Sequence, residues 1–438
     1  MPSFKNLPTR VGQNCLPFCL FVLLFSACQN VNLPGSATTT TVASPQAGCQ
    51  VKFGIITSLT GSFAERATEL VRGYEMARDD LNTAGGVLGC SLELVMRDDA
   101  SDRSTGVTAF RELVEQEPVP VVIGSFASEV TLQLVPLAGQ YQTPLLAHNA
   151  ANDLVTSLGS EWVFRTTGRL DNSVTALMDY SLTLLPSDQI PMLGVVYENT
   201  VFGQAFTQAA TNYAKDVGIS LVAAEAFTTP SSDFKPLLQR LQNAEPDFVL
   251  FSVDQLSDAL LLMKQSREIN FNPKLYLSNA GAFTSVQFLN SPYAEYFLVT
   301  LDWSGSSTWQ AANGMTTQEF INEFQTRYGT APGDRSVNAY VNIFLAAQAL
   351  ELAARQEPLD WDNMADVRTR FRDALRELDL PETLFGPIKF DSTGQNIHPP
   401  LIAQVNQGQL VIIAPAEQQT GEIVFPMPAW SGRMIDEP

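Results

Sequence analysis

Histidine is almost missing from this chain. Two occur in 438 residues, His148 and His398, far apart in sequence. A histidine-dependent triad therefore has at most two candidate bases, and a zinc site would need mostly carboxylate ligands, which is uncommon. No HExxH, CxxC or Gly-x-Ser-x-Gly motif occurs, and no Walker-type Gly-Lys-Ser/Thr loop. Enzyme chemistry is thus not expected, nor a bound metal or cofactor. Basic charge is also scarce, with 26 Lys and Arg against 46 Asp and Glu and a formal net charge of -20. Phosphate recognition needs basic patches, so no nucleic-acid partner is expected. Polybasic docking to a membrane is excluded for the same reason.

Long apolar runs are scarce too. Lys5 and Arg10 are the only charges before Lys52, and residues 16–25 form an apolar stretch broken by Pro17. That stretch is too short to span a bilayer and reads as the core of an export signal covering residues 1–27. It ends in Phe25-Ser26-Ala27-Cys28, which resembles the lipobox of bacterial lipoproteins. The resemblance implies that Cys28 is lipidated and holds the protein at a membrane by that anchor alone. Phe25 stands where the lipobox usually has Leu, and a plain secretory signal cut elsewhere is the alternative. Both readings imply export.

Five cysteines are present. Cys15 and Cys19 fall in the signal, and Cys28 is the expected anchor. Cys49 and Cys90 remain, an even pair in an oxidising compartment. Each directly precedes an expected strand, 51–57 and 91–97. If those strands are parallel neighbours, a disulfide is geometrically reasonable; two separate thiols are the alternative.

What the chain does have is a globular composition, 45% hydrophobic and 16% charged. Its length exceeds what one core usually holds, so at least two lobes are expected. Residues 28–48 carry Thr, Ser, Ala, Pro and Gly and read as a flexible tether. From residue 49 onward, short apolar runs alternate with amphipathic stretches. Leu70, Tyr74, Ala77 and Leu81 mark a helical stripe, and strands are expected at 51–57, 92–96, 119–123 and 144–147. The rhythm restarts after Gly168, with strands at 192–197, 221–227, 248–253, 274–278 and 297–301. Helices follow at 317–328, 337–355 and 364–378, and β-like runs lie at 388–390, 402–405 and 410–413. This is an α/β pattern occurring twice, each block with a parallel sheet covered on both faces.

Ligands of parallel α/β sheets bind beyond the carboxyl ends of the strands. The polar loops there are 57–63, 124–128 and 149–153. Ser62 and Ser128 each sit just before an expected helix, where free N–H groups suit a carboxylate; the alternative is that both simply cap helices. The acids Asp98, Asp99 and Asp102 read as a solvated face.

Several segments together resemble one family: ITSLTGSFAERATELVRGYEMARDDLNTAGGVLG, VVIGSFASEVTLQLVPLAGQYQTPLLAHNAANDL, VFRTTGRLDNSVTAL, VVYENTVFGQAF, SSDFKPLLQRLQNAEPDFVLF and FGPIKFDSTGQN. That family is the leucine/isoleucine/valine-binding proteins of ABC transporters, the type I solute-binding proteins. The likeness runs in order from Cys49 to about Phe425. It implies two Rossmann-like lobes joined by three hinge crossings, near 167–170, 300–303 and 384–387. Lobe 1 is then 49–168 plus 302–384, lobe 2 is 169–301 plus 385–425, and 426–438 is a tail. The implied function is capture of an amino acid or related small polar solute between the lobes, by a monomer, and its delivery to a membrane permease.

Residue by residue, the resemblance places Ser128 on the ligand carboxylate and Asn149 at a carbonyl that accepts from the ligand amine. Ser62, Phe63 and Ala150 lie in the same loops. Ala151 stands where the family usually has Ser or Thr. Phe202 occupies the place of a covering aromatic, and Asp254 or Gln255 lies near another second-lobe contact. Asn279 replaces an acid that pairs with the ammonium in amino-acid binders. Asp254 is the candidate to supply that missing charge, or else ends a solvated loop. Trp303 is a further candidate cleft aromatic, whereas Tyr340 is expected to pack its helix. A ligand sensor on the same fold and a periplasmic hydrolase are the competing readings.

Overall fold

A computed structural model describes residues 45–46, 48–150, 152–279, 281–311 and 313–433. The signal, Cys28 and nearly all of the tether lie outside the described residues. The first block of elements is β1 (Gln50–Thr57), α1 (Ala64–Thr83), β2 (Ser91–Asp98), α2 (Arg103–Glu115), β3 (Val122–Gly124), α3 (Ser128–Gln140), β4 (Leu145–Ala147), α4 (Leu154–Ser157) and β5 (Val163–Arg165). Its five strands lie in the order β2-β1-β3-β4-β5, all parallel. β1 pairs with β2 from Gln50 opposite Ser91. That register sets the residues before them side by side, and Cys49 and Cys90 form a disulfide with Cα atoms 4.8 Å apart.

The second block is α5 (Leu170–Thr183), β6 (Met192–Glu198), α6 (Val201–Val217), β7 (Ser220–Phe227), α7 (Lys235–Asn243), β8 (Phe248–Ser252), α8 (Leu256–Glu268), β9 (Leu275–Ser278), α9 (Val286–Leu289) and β10 (Leu298–Leu301). The chain continues through α10 (Thr317–Tyr328), α11 (Asp334–Ala353), α12 (Met364–Glu377), β11 (Asp379–Leu380), β12 (Ile388–Lys389), β13 (Leu401–Asn406) and β14 (Gln409–Ala414). The second sheet runs β14-β13-β10-β9-β8-β6-β7. It is parallel except where the β13–β14 hairpin joins β10 antiparallel. The fold is therefore mixed α/β with two largely parallel sheets.

Local chemistry sets the helix ends. α10 opens in a capping box between Thr316 and Glu319, and α6 opens with the Thr200 hydroxyl accepting from the Gly203 N–H at 3.1 Å. Each of these two helices stops at a left-handed glycine, Gly329 or Gly218. α11 returns to the first half and packs on α1, burying Val337, Tyr340, Ile343 and Leu350. Burial of each such apolar side chain is worth roughly 1.5–3 kcal/mol. The helices approach so closely at Gly73 that an added Cβ would sit 2.2 Å from the Ser336 carbonyl oxygen.

The chain passes three times between the halves. The first passage follows β5 through Thr166 to Arg169, and the second leaves β10 through Asp302 and Trp303. The third differs from the expected 384–387. Phe385, Ile388 and Phe390 are buried in the first half's core, and the Phe390 ring meets Phe164 at 5.2 Å. The Asn396 N–H still bonds the Arg165 carbonyl at 2.9 Å. The passage therefore runs through His398-Pro399-Pro400, and residues 385–396 belong with the first half. The supposed tail also packs: Met427 and Trp430 join the second half's core, where the Trp430 indole N–H donates to the Phe271 carbonyl at 2.9 Å.

Candidate ligand-binding cleft

A cavity of about 280 Å³ opens where the passages meet. The first half lines it with Phe126, Asn149 and Asn338, the passages with Thr167, Gly168 and Asp302, and the second half with Phe202 and Asn279. A neighbouring cavity of about 430 Å³ shares Phe126 and Asn149 and adds Ser62, Phe63 and Ser128. A third, of about 480 Å³, shares Asn279, Asp302, Asp334 and Arg335 and reaches Trp303.

The first half holds its loops rigidly. Asp99 was expected on a solvated face but is fully buried, because its carboxylate ties three loops together. It accepts from the Ser58 hydroxyl at 2.6 Å, from the Ser101 N–H at 2.8 Å, and from the Ser125 hydroxyl. A buried carboxylate is tolerated when its lone pairs are filled this way. Ser125 in turn accepts from the Ala127 N–H at 3.2 Å. Neither Ser128 nor Ser62 caps a helix: Ser128 is the first residue of α3, and the residue before α1 is Phe63. The capping explanation for both serines is thereby removed, and both residues line the second cavity.

Asn338 supports the next loop. Its amide donates to the His148 carbonyl at 3.1 Å and to Asn149 Oδ1 at 3.0 Å. The Thr166 hydroxyl donates to Asn338 Oδ1 at 3.1 Å, which links the loop to the first passage. Arg165, fully buried, donates to Gln395 at 2.7 Å, to the Ala150 carbonyl at 3.2 Å and to Asp153. Ala150 is likewise buried and lines none of the three cavities. Ala151 lies outside the described residues. Both histidines are buried, and burial pulls each imidazole down to about 4, so neither carries charge at neutral pH.

The second half contributes less. Phe202 and Asn279 reach the cavity, but Asp254 lines none of the three. Asp254 is exposed at the end of β8, and its N–H donates to Glu198 at 3.1 Å. Crowding by protein raises its pKa, opposed by the charge of Arg66 from the first half. Tyr340 packs between α1 and α10, with its hydroxyl on Asp80 at 2.9 Å and its ring 5.0 Å from Phe320.

The cleft also holds charges that the sequence reading missed. Asp302 lines the first and third cavities, with its carboxyl pushed up to about 6. Desolvation is the main cause and nearby Asp334 adds to it, while Arg165 and the Gly168 N–H oppose. Arg335 lies 3.7 Å from Glu69, 4.0 Å from Asp334, and 5.7 Å from the centre of the Phe126 ring. A signal for α11 was present in the sequence: Asn338 and Asn342 recur four residues apart in a stretch, 337–347, that is otherwise apolar, marking a polar stripe in a buried place. Asp302 carried no such signal.

The sequence matches the model of the periplasmic binding protein family over residues 50–409, and the chain belongs to that family. A Leu/Ile/Val-binding protein homolog 8 from Brucella suis is 27% identical over 422 residues, covering 92% of this chain and 98% of its own. A homolog 7 from Brucella abortus is 26% identical over 412 residues, covering 88% and 98%. Among solved structures, the substrate-binding protein LivJ of Streptococcus pneumoniae, in complex with isoleucine, has a TM-score of 0.64 at 19% identity, covering 84% of this chain and 100% of that one. A Rhodopseudomonas palustris solute-binding protein with 3,4-dihydroxybenzoic acid has a TM-score of 0.64 at 20% identity, covering 83% and 96%. At such identities these structures speak to the fold alone.

Proposed function

We propose that this chain is the exported solute receptor of an ABC transporter, capturing an amino acid or related small polar solute and delivering it to a membrane permease. One observation carries this reading: a single cavity is walled by Phe126 and Asn149 from one half and by Phe202 and Asn279 from the other. A solute there gains its full contacts only when both halves meet, so it favours the closed arrangement by its differential affinity. Isoleucine in one structural neighbour and an aromatic acid in another bracket the solute classes to try first. Lipidation at Cys28 would keep a monomeric receptor close to its permease.

The test is a thermal-shift screen of the mature chain against amino acids, amides, short peptides and aromatic acids, with product analysis alongside. A true ligand at 100 times its dissociation constant adds roughly 2.7 kcal/mol of stability. Recovery of every solute unchanged fits a receptor; turnover of any of them would replace the reading with an enzyme.

A further inference from the structure

The family resemblance puts an acid for the ligand's ammonium at position 279, where this chain has an amide. An amide carries no charge, so a cationic solute would need its counter-charge from elsewhere in the cleft. Four charged side chains line the first cavity: Arg169, Asp302, Asp334 and Arg335. Arg169 is occupied by Asp171, with two contacts at 2.9 Å. Arg335 is shared between Glu69 and Asp334. Among the described residues, no Lys or Arg forms an ion pair with Asp302.

Asp302 has the placement of a receptor group. It lines both the first and the third cavity, and its immediate support is the backbone N–H of Gly168 on the neighbouring passage. Two polar atoms of the same passages have no hydrogen-bond partner although both are shielded from solvent: the Thr167 hydroxyl, on the first cavity, and the Trp303 indole N–H, on the third. A half-buried carboxylate without a paired cation is costly, and orphaned polar atoms in the same passages are costly again. With Arg169 held by Asp171, two carboxylates, Asp302 and Asp334, are left against one guanidinium, Arg335, in the lining of this cavity. A positively charged guest would reduce that imbalance and could give the Thr167 oxygen a donor.

Resting on the reading of the cleft as a solute site, we infer that Asp302 receives the solute's cationic nitrogen. The negative charge recognising the solute thus comes from the second passage and not from position 279, and the preferred solutes carry a protonated amine.

Matched pairs test this at pH 7: L-leucine with 4-methylpentanoate, L-phenylalanine with 3-phenylpropanoate, and 4-aminobutyrate with butyrate. Each is measured by thermal shift and calorimetry on the native chain and on Asp302→Asn. The amine-bearing member of at least one pair should bind at least tenfold more tightly. That preference should vanish in Asp302→Asn and partly return in Asp302→Asn/Asn279→Asp. Equal or tighter binding of the members without an amine overturns the inference while leaving the receptor reading intact. An unchanged preference in Asp302→Asn also overturns it. Silence across all six compounds counts against the inference and, with a blank wider screen, against the receptor reading too. The comparison within pairs uses the native chain, so it stands even if the variant fails to fold.

Discussion

The two halves meet the cleft in different ways. The first half presents loops held by buried polar groups: Asp99 under Ser125, Asn338 under Asn149, and Arg165 under Ala150 and Asp153. The second half presents an aromatic ring and an amide over a core of stacked aromatics, where the Phe297 ring lies 4.7 Å from Phe283 and 5.3 Å from Tyr276. Polar networks fix direction because each hydrogen bond has a geometry. Aromatic packing fixes only shape. On the proposed reading of the cleft, the first half would orient the solute and the second would cover it.

The largest effect that can break this division is Phe297→Ala. Removing the hub of the aromatic cluster should cost about 3–5 kcal/mol of stability, read by chemical denaturation. Solute affinity of the folded fraction should stay nearly unchanged; a large loss of affinity would mean that the second half's core also orients the solute.

A smaller effect sharpens the comparison across the cleft. Ser128→Ala should weaken a carboxylate-bearing solute by roughly 1.5–3 kcal/mol, the range of a hydrogen bond to a charged group. Phe202→Leu should lose less and should affect amine and carboxylate analogues alike. Calorimetry of both variants with the best ligand decides: reversal of their order contradicts the division of labour.

The smallest expected effect is in pH. The Asp302 carboxyl is pushed up to about 6 by burial and by Asp334, opposed by Arg165 and the Gly168 N–H; Arg169 and Arg335 are the other charged residues that line the same cavity. If the ionised form of Asp302 holds the solute's cation, affinity is full well above pH 6, is about halved at pH 6, and falls about tenfold by pH 5. Without ligand the sign reverses. A carboxyl raised in the folded state destabilises at neutral pH, and that cost is relieved as the proton binds. Titration calorimetry from pH 5 to 8 should show the loss of affinity in the native chain and not in Asp302→Asn.

The alternating α/β rhythm was legible because apolar periodicity is a local property. The run 317–328 became α10 with the same bounds, and 192–197 became β6 with one further residue. The third passage was not legible, since Phe385, Ile388 and Phe390 show the same apolar spacing whichever core they enter. The site divided along the same line. Ser128 and Asn149 follow strands of the first sheet and could be placed on its polar loops. Asp254 and Asp302 both follow strands of the second sheet, and their sequences do not say which faces the cleft. Strand order decides: β10, which leads to Asp302, runs directly into the second passage, whereas β8 lies two strands away.

The most direct measurement is small-angle X-ray scattering of the mature chain with and without a saturating solute from the screen. Closure of two halves on a shared guest should shrink the radius of gyration, and the change should be lost when Phe202→Ala and Ser128→Ala together abolish binding. A bound solute that leaves the scattering curve unaltered would contradict capture by closure between the halves.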